Sequence, residues 1–228
     1  MTSRIYCLPI VFCVVLLVSH SLASGDVITI VNSSFEDPVL NDGVAVGGWE
    51  SWLLYSPTLS APGGTWNING ESAYWNVSAP HGNNVGYLNN GDFPDHSASG
   101  TQSLGVNLLA DSNYQLSFFV GHPIGYATGT EYEVGLYAGQ NLLASVSGSG
   151  PEGSFRQIQL DFDSTGSSFV GEELSINFFS NRVQTAFDDI RLSVSSVPEP
   201  ATTVMWCVAG LAGVGIVRRQ RRKFECER

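Results

Sequence analysis

Apolar and polar residues alternate at every second position through much of the second half of the chain. The apolar members are Leu116, Phe118 and Val120; Tyr132, Val134, Leu136 and Ala138; Ile158, Leu160 and Phe162; and Leu174, Ile176 and Phe178. Because successive side chains of a β-strand point to opposite faces, each series predicts a strand with one buried face. Gly139-Gln140-Asn141 predicts a hairpin turn, and residues 148–153 predict a loop. The pattern predicts an all-β fold, an antiparallel two-sheet jelly-roll sandwich.

The first half of the same region has a different composition. Residues 37–99 are rich in Gly, Pro, Asn and aromatic residues. Long loops with aromatic side chains on a β scaffold are typical of ligand sites. We expect about half of these rings to pack in the core, Trp49 after Gly47-Gly48 among them. The candidates for stacking on a ligand are Trp52, Trp66, Trp75 and Tyr87.

The N-terminus has the features of an export signal. Arg4, the apolar stretch 10–18 and Ser21-Leu22-Ala23 predict a helical signal peptide over residues 1–23, cleaved after Ala23. The four cysteines, at positions 7, 13, 207 and 226, all lie outside residues 24–196. The predicted exported domain over 24–196 therefore contains no disulfide.

The C-terminus combines a proline motif, an apolar stretch and a basic cluster. Pro198-Glu199-Pro200 precede the apolar residues 201–217, and Arg218 and Arg219 begin a basic stop over 218–223. Seventeen residues make a helix about 26 Å long, close to the roughly 30 Å hydrocarbon core of a bilayer. Basic residues beside a span stay in the cytoplasm. Residues 197–228 therefore predict a sorting segment with one transmembrane helix, which places the preceding domain outside.

The charge of the predicted domain is strongly negative. Residues 24–197 contain eighteen Asp and Glu, three Arg and no Lys, a net charge of −15. This excludes nucleic acid as a natural partner, because phosphate recognition requires a positive surface. It favours cations and neutral partners such as sugars, although solubility alone is an alternative explanation.

Two acidic motifs lie near the ends of the domain. Asn32-Ser33-Ser34-Phe35-Glu36 stands near its start, and Phe187-Asp188-Asp189-Ile190-Arg191-Leu192 near its end. Unless a bulge intervenes, Asp188 shares the inward parity of Ile190 and Leu192, and a buried carboxylate needs a partner. If the first and last strands are neighbours, Glu36 and Asp188 meet, with Asn32 as a third candidate, at a structural Ca²⁺ site. The alternative is a surface ion pair, either Asp188 with Arg191 or Asp189 with an arginine.

No catalytic residue is predicted. The histidines of the domain, His81, His96 and His122, lie in loops with no nucleophile motif beside them. Glu131 and Glu133 share one strand face at a spacing of roughly 7 Å, which an inverting glycosidase permits, but they are interpreted as a solvated face.

Two family resemblances follow from these motifs. The signal peptide with Val-Pro-Glu-Pro, a span and an arginine cluster resembles the PEP-CTERM class of exported bacterial proteins. The resemblance implies an exosortase that recognises Pro198-Glu199-Pro200 and removes the tail, so that a single-pass membrane intermediate precedes release to the cell surface or extracellular matrix. Residues 224–228 extend beyond the basic cluster, where such proteins usually end.

The domain resembles calcium-binding jelly rolls of the carbohydrate-binding-module and galactose-binding-like type, and most of all the Stig cyclases of hapalindole-type alkaloids. The carrying motifs are Asn-x-x-Phe-Glu at 32–36, Gly48-Trp49, residues 80–88, and Phe-Asp-Asp-Ile-Arg-Leu at 187–192. The resemblance implies that Glu36 and Asp188 are calcium ligands and that Tyr87 lines a pocket. The cyclases carry their acidic proton donor two places before the residue matching Asp188, where this chain has Ala186.

The sequence thus predicts an exported, non-enzymatic module, stabilised by calcium and binding extracellular polysaccharide. Two alternatives stay open. One is a structural surface protein whose aromatic residues are core, and the other is an enzyme on a cyclase-like jelly roll.

Overall fold

The computed structural model describes residues 25–88, 97–126, 131–181 and 184–197. These ranges contain twelve β-strands and no α-helix. The strands are β1 Asp26–Ile28, β2 Ala45–Gly47, β3 Leu53–Tyr55, β4 Gly63–Asn67, β5 Asn84–Leu88, β6 Ser97–Asn107, β7 Ser112–Gly121, β8 Glu131–Ala138, β9 Asn141–Ser149, β10 Phe155–Asp163, β11 Glu173–Asn181 and β12 Thr185–Ser196. Within the described ranges no helix is long and apolar enough to cross a membrane. The predicted signal helix at 1–23 and membrane helix at 201–217 lie outside them.

The strands form the predicted antiparallel jelly-roll sandwich. The seven-stranded sheet has the order β10-β7-β12-β5-β4-β2, and β1 pairs with the second half of β12. The five-stranded sheet has the order β3-β6-β11-β8-β9. The first and last strands are therefore neighbours, as the site prediction required.

The period-two series occupy the strands expected of them. Those of β7, β8 and β11 are buried between the sheets, whereas that of β10, an edge strand, is only half-buried against the same core. Ala138 and Asn141 face each other across the β8–β9 hairpin, and Gly139 between them has a φ of 56°. A turn of this kind favours glycine because a left-handed backbone there costs it little.

An aromatic cluster fills the centre of the sandwich. Phe35 is fully buried, and its ring centroid lies 4.8 Å from that of Trp49. The Trp49 indole donates its Nε1–H to the Gly64 carbonyl at 2.7 Å. Room for these rings comes from glycines, because a Cβ at Gly86 would collide with the Phe35 ring. The segment before the first long strand thus contributes large rings to the core between the two sheets.

A β-bulge in β12 corrects the predicted orientation of Asp188. Phe187 and Ile190 both face the core, while the pairing with β7 shifts between Asp188 and Arg191. Asp189 takes a left-handed backbone with a φ of 48°. The extra residue reverses the parity, so Asp188 lies on the outer face of the seven-stranded sheet and not on the inward side shared by Ile190 and Leu192.

Candidate functional site

Asp188 is a fully buried carboxylate on that outer face. Its Oδ2 accepts a hydrogen bond from the backbone N–H of His81 at 2.8 Å, and its Oδ1 accepts one from the backbone N–H of Asp189 at 2.7 Å. The bulge aims the side chain at the loop before β5. This loop therefore covers Asp188 and excludes water from it.

Glu36 is held by the same loop. Its Oε1 accepts hydrogen bonds from the backbone N–H groups of Asn83 and Asn84, at 2.9 and 2.8 Å. Gly82 leaves the space for this carboxyl group, since a Cβ there would collide with it, and its φ of 65° also favours glycine. The loop 81–84 thus connects Glu36 and Asp188, although the two lie far apart in the chain.

The surroundings of Asp188 oppose its ionisation. Burial, and to a smaller extent the negative charges of Asp189 and Glu36, raise the pKa of Asp188 to about 8, against the lowering effect of its two backbone hydrogen bonds. The ion pair of the described residues is Arg191 Nε with Asp189 Oδ1, at 2.8 Å. The surface pair considered as an alternative therefore forms at Asp189 and leaves Asp188 without a cationic partner among the described residues.

The oxygen donors around Glu36 and Asp188, a region here called the calcium junction, fit a hard divalent cation. Among the described residues, Glu36 and Asp188 supply two carboxylates without an ion-pair partner, and the buried side-chain oxygen of Asn84 has no hydrogen-bond partner. Within the described ranges no three His, Cys, Asp or Glu residues come together. A cation bound here would need neutral oxygens to complete its coordination, and Ca²⁺ accepts backbone and amide carbonyls and water readily.

Asn32, the third predicted ligand, is engaged elsewhere. Its side-chain oxygen accepts the backbone N–H of Asp37 at 3.0 Å, and its Nδ2–H donates to the Asp37 carbonyl at 2.7 Å. With a φ of 51°, Asn32 shapes the turn that carries Glu36. The hydrogen bonds of the Asn32 side chain therefore position that turn.

Beside Asp188, the outer face of the seven-stranded sheet carries a second apolar cluster, here called the outer aromatic cluster. Its buried members are Trp66, Ile68, Trp75, Val85 and Ala186, with Ala79, Tyr87 and Phe155 packed against them. Trp75 stacks on Phe155 with ring centroids 4.6 Å apart and planes 4° apart. The Trp75 Nε1–H is buried without a partner among the described residues.

The four predicted stacking residues fall in different places. Trp52 lies in the main core, in edge contact with Phe178 at 5.6 Å between ring centroids. Trp66 and Trp75 are buried in the outer aromatic cluster, which leaves 9% and 3% of their surfaces exposed. Tyr87 is half-buried at its edge, and burial raises the pKa of its hydroxyl.

Ala186 is a buried member of this cluster. It is fully buried and pairs directly with Tyr87 on β5 and with Gly121 on β7. Its methyl group stands where an acidic side chain would reach the rings around it.

His122 is buried with its Nδ1 3.1 Å from the Pro123 carbonyl, and His96 lies outside the described residues.

Residues 80–88 entered the sequence analysis only as a motif of the family resemblance, and their role in connecting the site was missed. Asn84 and the backbone of residues 81–83 carry no acidic or aromatic signal, and Phe155 stands in no recognised motif. A further signal for this role was the density of Gly, Asn and His in residues 80–84, which is typical of a loop that offers backbone N–H groups.

Comparison with known proteins confirms both resemblances. Residues 26–193 match the HpiC1-like family, described as HpiC1 cyclase, and residues 196–223 match the PEP-CTERM protein-sorting motif. That motif supports export by an exosortase-type system. No curated protein matches the chain.

Solved structures give the same fold. The Stig cyclase Fisc from Fischerella sp. TAU, in complex with (3Z)-3-(1-methyl-2-pyrrolidinylidene)-3H-indole, is 26% identical at a TM-score of 0.69 and aligns over 76% of this chain and 99% of its own. A cyclase from the same organism in complex with 4-(1H-indol-3-yl)butan-2-one is 25% identical at a TM-score of 0.66, over 76% of this chain and 100% of its own. The carbohydrate-binding module TmCBM61 with β-1,4-galactotriose is 16% identical over 72% of this chain and 95% of its own, and its TM-score of 0.48 is too low to bear on function.

Proposed function

Since this chain belongs to the HpiC1-like cyclase family and carries a PEP-CTERM sorting motif, we propose that it is an exported β-sandwich module of the extracellular matrix. In this proposal the module holds structural calcium, binds polysaccharide and catalyses no reaction. An exosortase-type enzyme processes its tail.

The observation that carries the proposal is Ala186 in the outer aromatic cluster. In the Stig cyclases that this domain resembles, the matching position carries the acid that donates the proton. A methyl group donates none, and the neighbouring Tyr87, whose pKa is raised, keeps its phenol proton near neutral pH. The fold of the family is thus retained with an apolar side chain at its reacting position, which supports binding without turnover.

Calcium is proposed at the junction of Glu36 and Asp188. The two carboxylates would hold the ion together with neutral oxygens, among which the Asn84 side chain is a candidate. A bound divalent cation supplies the positive charge that the junction lacks and favours ionised Asp188. Its role is structural, because the loop 81–84 precedes β5 and fixes the position of Tyr87.

Calorimetric titration of CaCl₂ into the domain of residues 24–197 tests this part. We expect binding to the unaltered protein, its loss in Glu36→Gln, and no change in Ser34→Ala, which alters a neighbouring side chain outside the donor set. An absence of heat, together with a melting temperature that EDTA leaves unchanged, contradicts the calcium proposal.

Processing is tested separately in the native host. Replacing Pro198, Glu199 and Pro200 with alanine is expected to retain the protein in the membrane fraction, whereas the unaltered protein moves to the surface or matrix fraction. Equal distribution of the two proteins contradicts processing at this motif.

A second candidate function is catalysis with Asp188 as the acid. Asp188 lies two residues after Ala186 on the same sheet face, and with a pKa raised to about 8 it retains its proton at neutral pH when no cation is bound. The two functions exclude each other at this residue, because a calcium ligand is ionised. Turnover of an indole substrate that is lost in Asp188→Asn and inhibited by calcium would favour catalysis.

A further inference from the structure

The outer face of the five-stranded sheet carries a row of paired residues that the calcium junction and the outer aromatic cluster do not use. Across its five strands the row is Tyr55, Ser99, Phe179, Glu133 and Ser147. Directly paired residues of an antiparallel sheet point to the same side. These five side chains therefore form one continuous line on a surface opposite to that of Ala186.

A groove follows the end of this line. Its volume is about 630 Å³, within the roughly 300–1,000 Å³ of ligand sites. Its lining includes Phe179 and the polar residues Glu133, Ser147, Ser149 and Asn181. The groove thus joins an aromatic ring to a cluster of hydroxyl, amide and carboxylate groups.

Among the described residues, the polar side chains in the groove have no hydrogen-bond partner, whereas those further along the same face are paired. Asn177 donates to the Thr101 hydroxyl at 2.6 Å, and the Ser103 hydroxyl donates to Glu173. No other described residue bonds the side chains of Glu133, Ser147, Ser149 or Asn181, all of which the described ranges include. The hydrogen-bonding capacity of the groove is therefore available to a ligand.

Aromatic surface is exposed along the same line. Tyr55 on the edge strand β3 is 63% exposed, and Phe179 is partly exposed. Tyr55 and Phe179 lie two strands apart, a separation of roughly 10 Å at about 4.8 Å per strand. Ser99, a small residue, stands between them. An extended chain of rings can therefore contact both aromatic side chains at once.

The charges and polar groups select the ligand class. Glu133 and the net charge of −15 over residues 24–197 repel an anionic ligand. The guanidinium of Arg156 already donates a hydrogen bond to the Ser149 carbonyl at 2.8 Å, beside the groove. A purely apolar ligand would leave the serines and Asn181 unpaired. A neutral sugar offers both an apolar C–H face for the rings and hydroxyl groups for Glu133, Ser147 and Asn181.

We propose that the outer face of the five-stranded sheet, from Tyr55 to Ser147, binds a neutral glycan chain. This inference rests on the proposed polysaccharide function and assigns it to a surface away from the calcium junction. The chain runs across the strands, with one sugar stacked on Tyr55 and another on Phe179, and its hydroxyl groups are bound in the groove beyond Phe179.

Affinity electrophoresis tests the assignment on the full-length protein in mild non-ionic detergent. The gels contain soluble β-1,4-galactan, xylan or mixed-linkage β-glucan, with alginate as the anionic comparison. We expect a neutral glycan to retard the protein and alginate to leave its mobility unchanged. Tyr55→Ala is expected to weaken retardation by roughly three- to ten-fold, the scale of one lost aromatic contact.

Tyr55→Ala is the decisive variant because its side chain is exposed and its loss leaves the core intact, whereas Phe179→Ser requires a check of the melting temperature. The matched control is Tyr74→Ala, which removes a 36% exposed tyrosine beside Trp66 on the other sheet. Retardation that Tyr55→Ala leaves unchanged overturns the site, and loss in Tyr74→Ala alone places binding at the outer aromatic cluster. No retardation by any of the three neutral glycans overturns both the inference and the polysaccharide function, and retardation by alginate alone overturns the neutral ligand.

Discussion

Substituting Asp188 by asparagine is expected to remove most of the pH dependence of stability in the calcium-free domain. The pKa of Asp188 is about 8 in the folded protein, because the carboxyl group is buried beside Glu36, against about 3.9 in an unfolded chain. Between these two pH values the folded state holds a proton that the unfolded state has released. The stabilisation is therefore complete below about pH 4 and is lost as the pH rises towards 8.

The size of this effect follows from the difference in pKa. Each pH unit above about 4 costs about 1.4 kcal/mol, so the free energy of unfolding falls by about 4 kcal/mol between pH 4 and pH 7 as an upper limit. A typical domain has only about 5–15 kcal/mol in total. Calcium acts in the opposite direction, because a bound cation favours the ionised carboxylate and stabilises the fold by about 2.7 kcal/mol at a concentration 100-fold above its Kd.

Urea unfolding of residues 24–197 at pH 5, 6, 7 and 8 measures both effects. With EDTA the unaltered domain is expected to lose stability steadily as pH rises, and with saturating calcium to lose little. Asp188→Asn is expected to show a flat profile in both conditions, at a level reduced by about 1–3 kcal/mol because its amide N–H₂ faces a backbone N–H.

Asp189→Asn is the matched control. It removes a neighbouring carboxylate that is paired with Arg191 and lies on the same bulge, and asparagine tolerates its left-handed backbone. This variant should keep most of the slope of the unaltered domain, because burial, the largest cause of the raised pKa of Asp188, is unchanged. A flat profile for the unaltered domain in EDTA would refute the reasoning, since it would show that Asp188 is ionised without a cation.

Two further predictions concern the core. Gly86→Ala should lower the free energy of unfolding by about 1–3 kcal/mol, because the added Cβ meets the Phe35 ring. The control is Gly47→Ala, which has open space around the added Cβ. Equal melting temperatures of the two variants would contradict the packing around Gly86. Trp49→Phe should lower the free energy of unfolding by about 1–3 kcal/mol more than Trp52→Phe, because only the Trp49 substitution leaves a bonded carbonyl, that of Gly64, without its donor. Urea denaturation compares the two variants, and a larger loss of stability in Trp52→Phe would contradict this assignment.

The strands that could be predicted were those in which one face is wholly apolar. β7, β8 and β11 carry Leu, Val, Ile or Phe at alternate positions, and burial follows directly. β6 could not be found in this way, since its inward residues include Gly100 and Gln102. Position 100 faces the core and requires glycine, because a Cβ there would collide with the Trp49 ring. Gln102 is accommodated in the core because its side-chain N–H groups donate hydrogen bonds to the backbone carbonyls of Val31 and Ser51. Such positions are selected by contacts between distant segments, which no local pattern records.

The two carboxylates of the candidate site could be predicted from sequence motifs, but their surroundings could not. Glu36 and Asp188 stand in motifs that mark the two ends of the domain, and the pairing of β1 with β12 brings those ends together. The orientation of Asp188 could not be predicted, because one left-handed residue, Asp189, reverses the parity of the strand. The burial of Trp66 and Trp75 depends on Ala186 and Phe155, which lie far away in the chain.

The pairing of β1 with the end of β12 also determines where the chain enters and leaves the sandwich. Gly25 lies against the Val194 carbonyl, and Val197 donates its backbone N–H to the Asp111 carbonyl at 2.8 Å. Gly25 and Val197 therefore lie at the same end of the domain. A domain tethered at either residue presents the same end to its point of attachment, so exchanging one tether for the other leaves its orientation, and the surfaces it offers to the surroundings, unchanged.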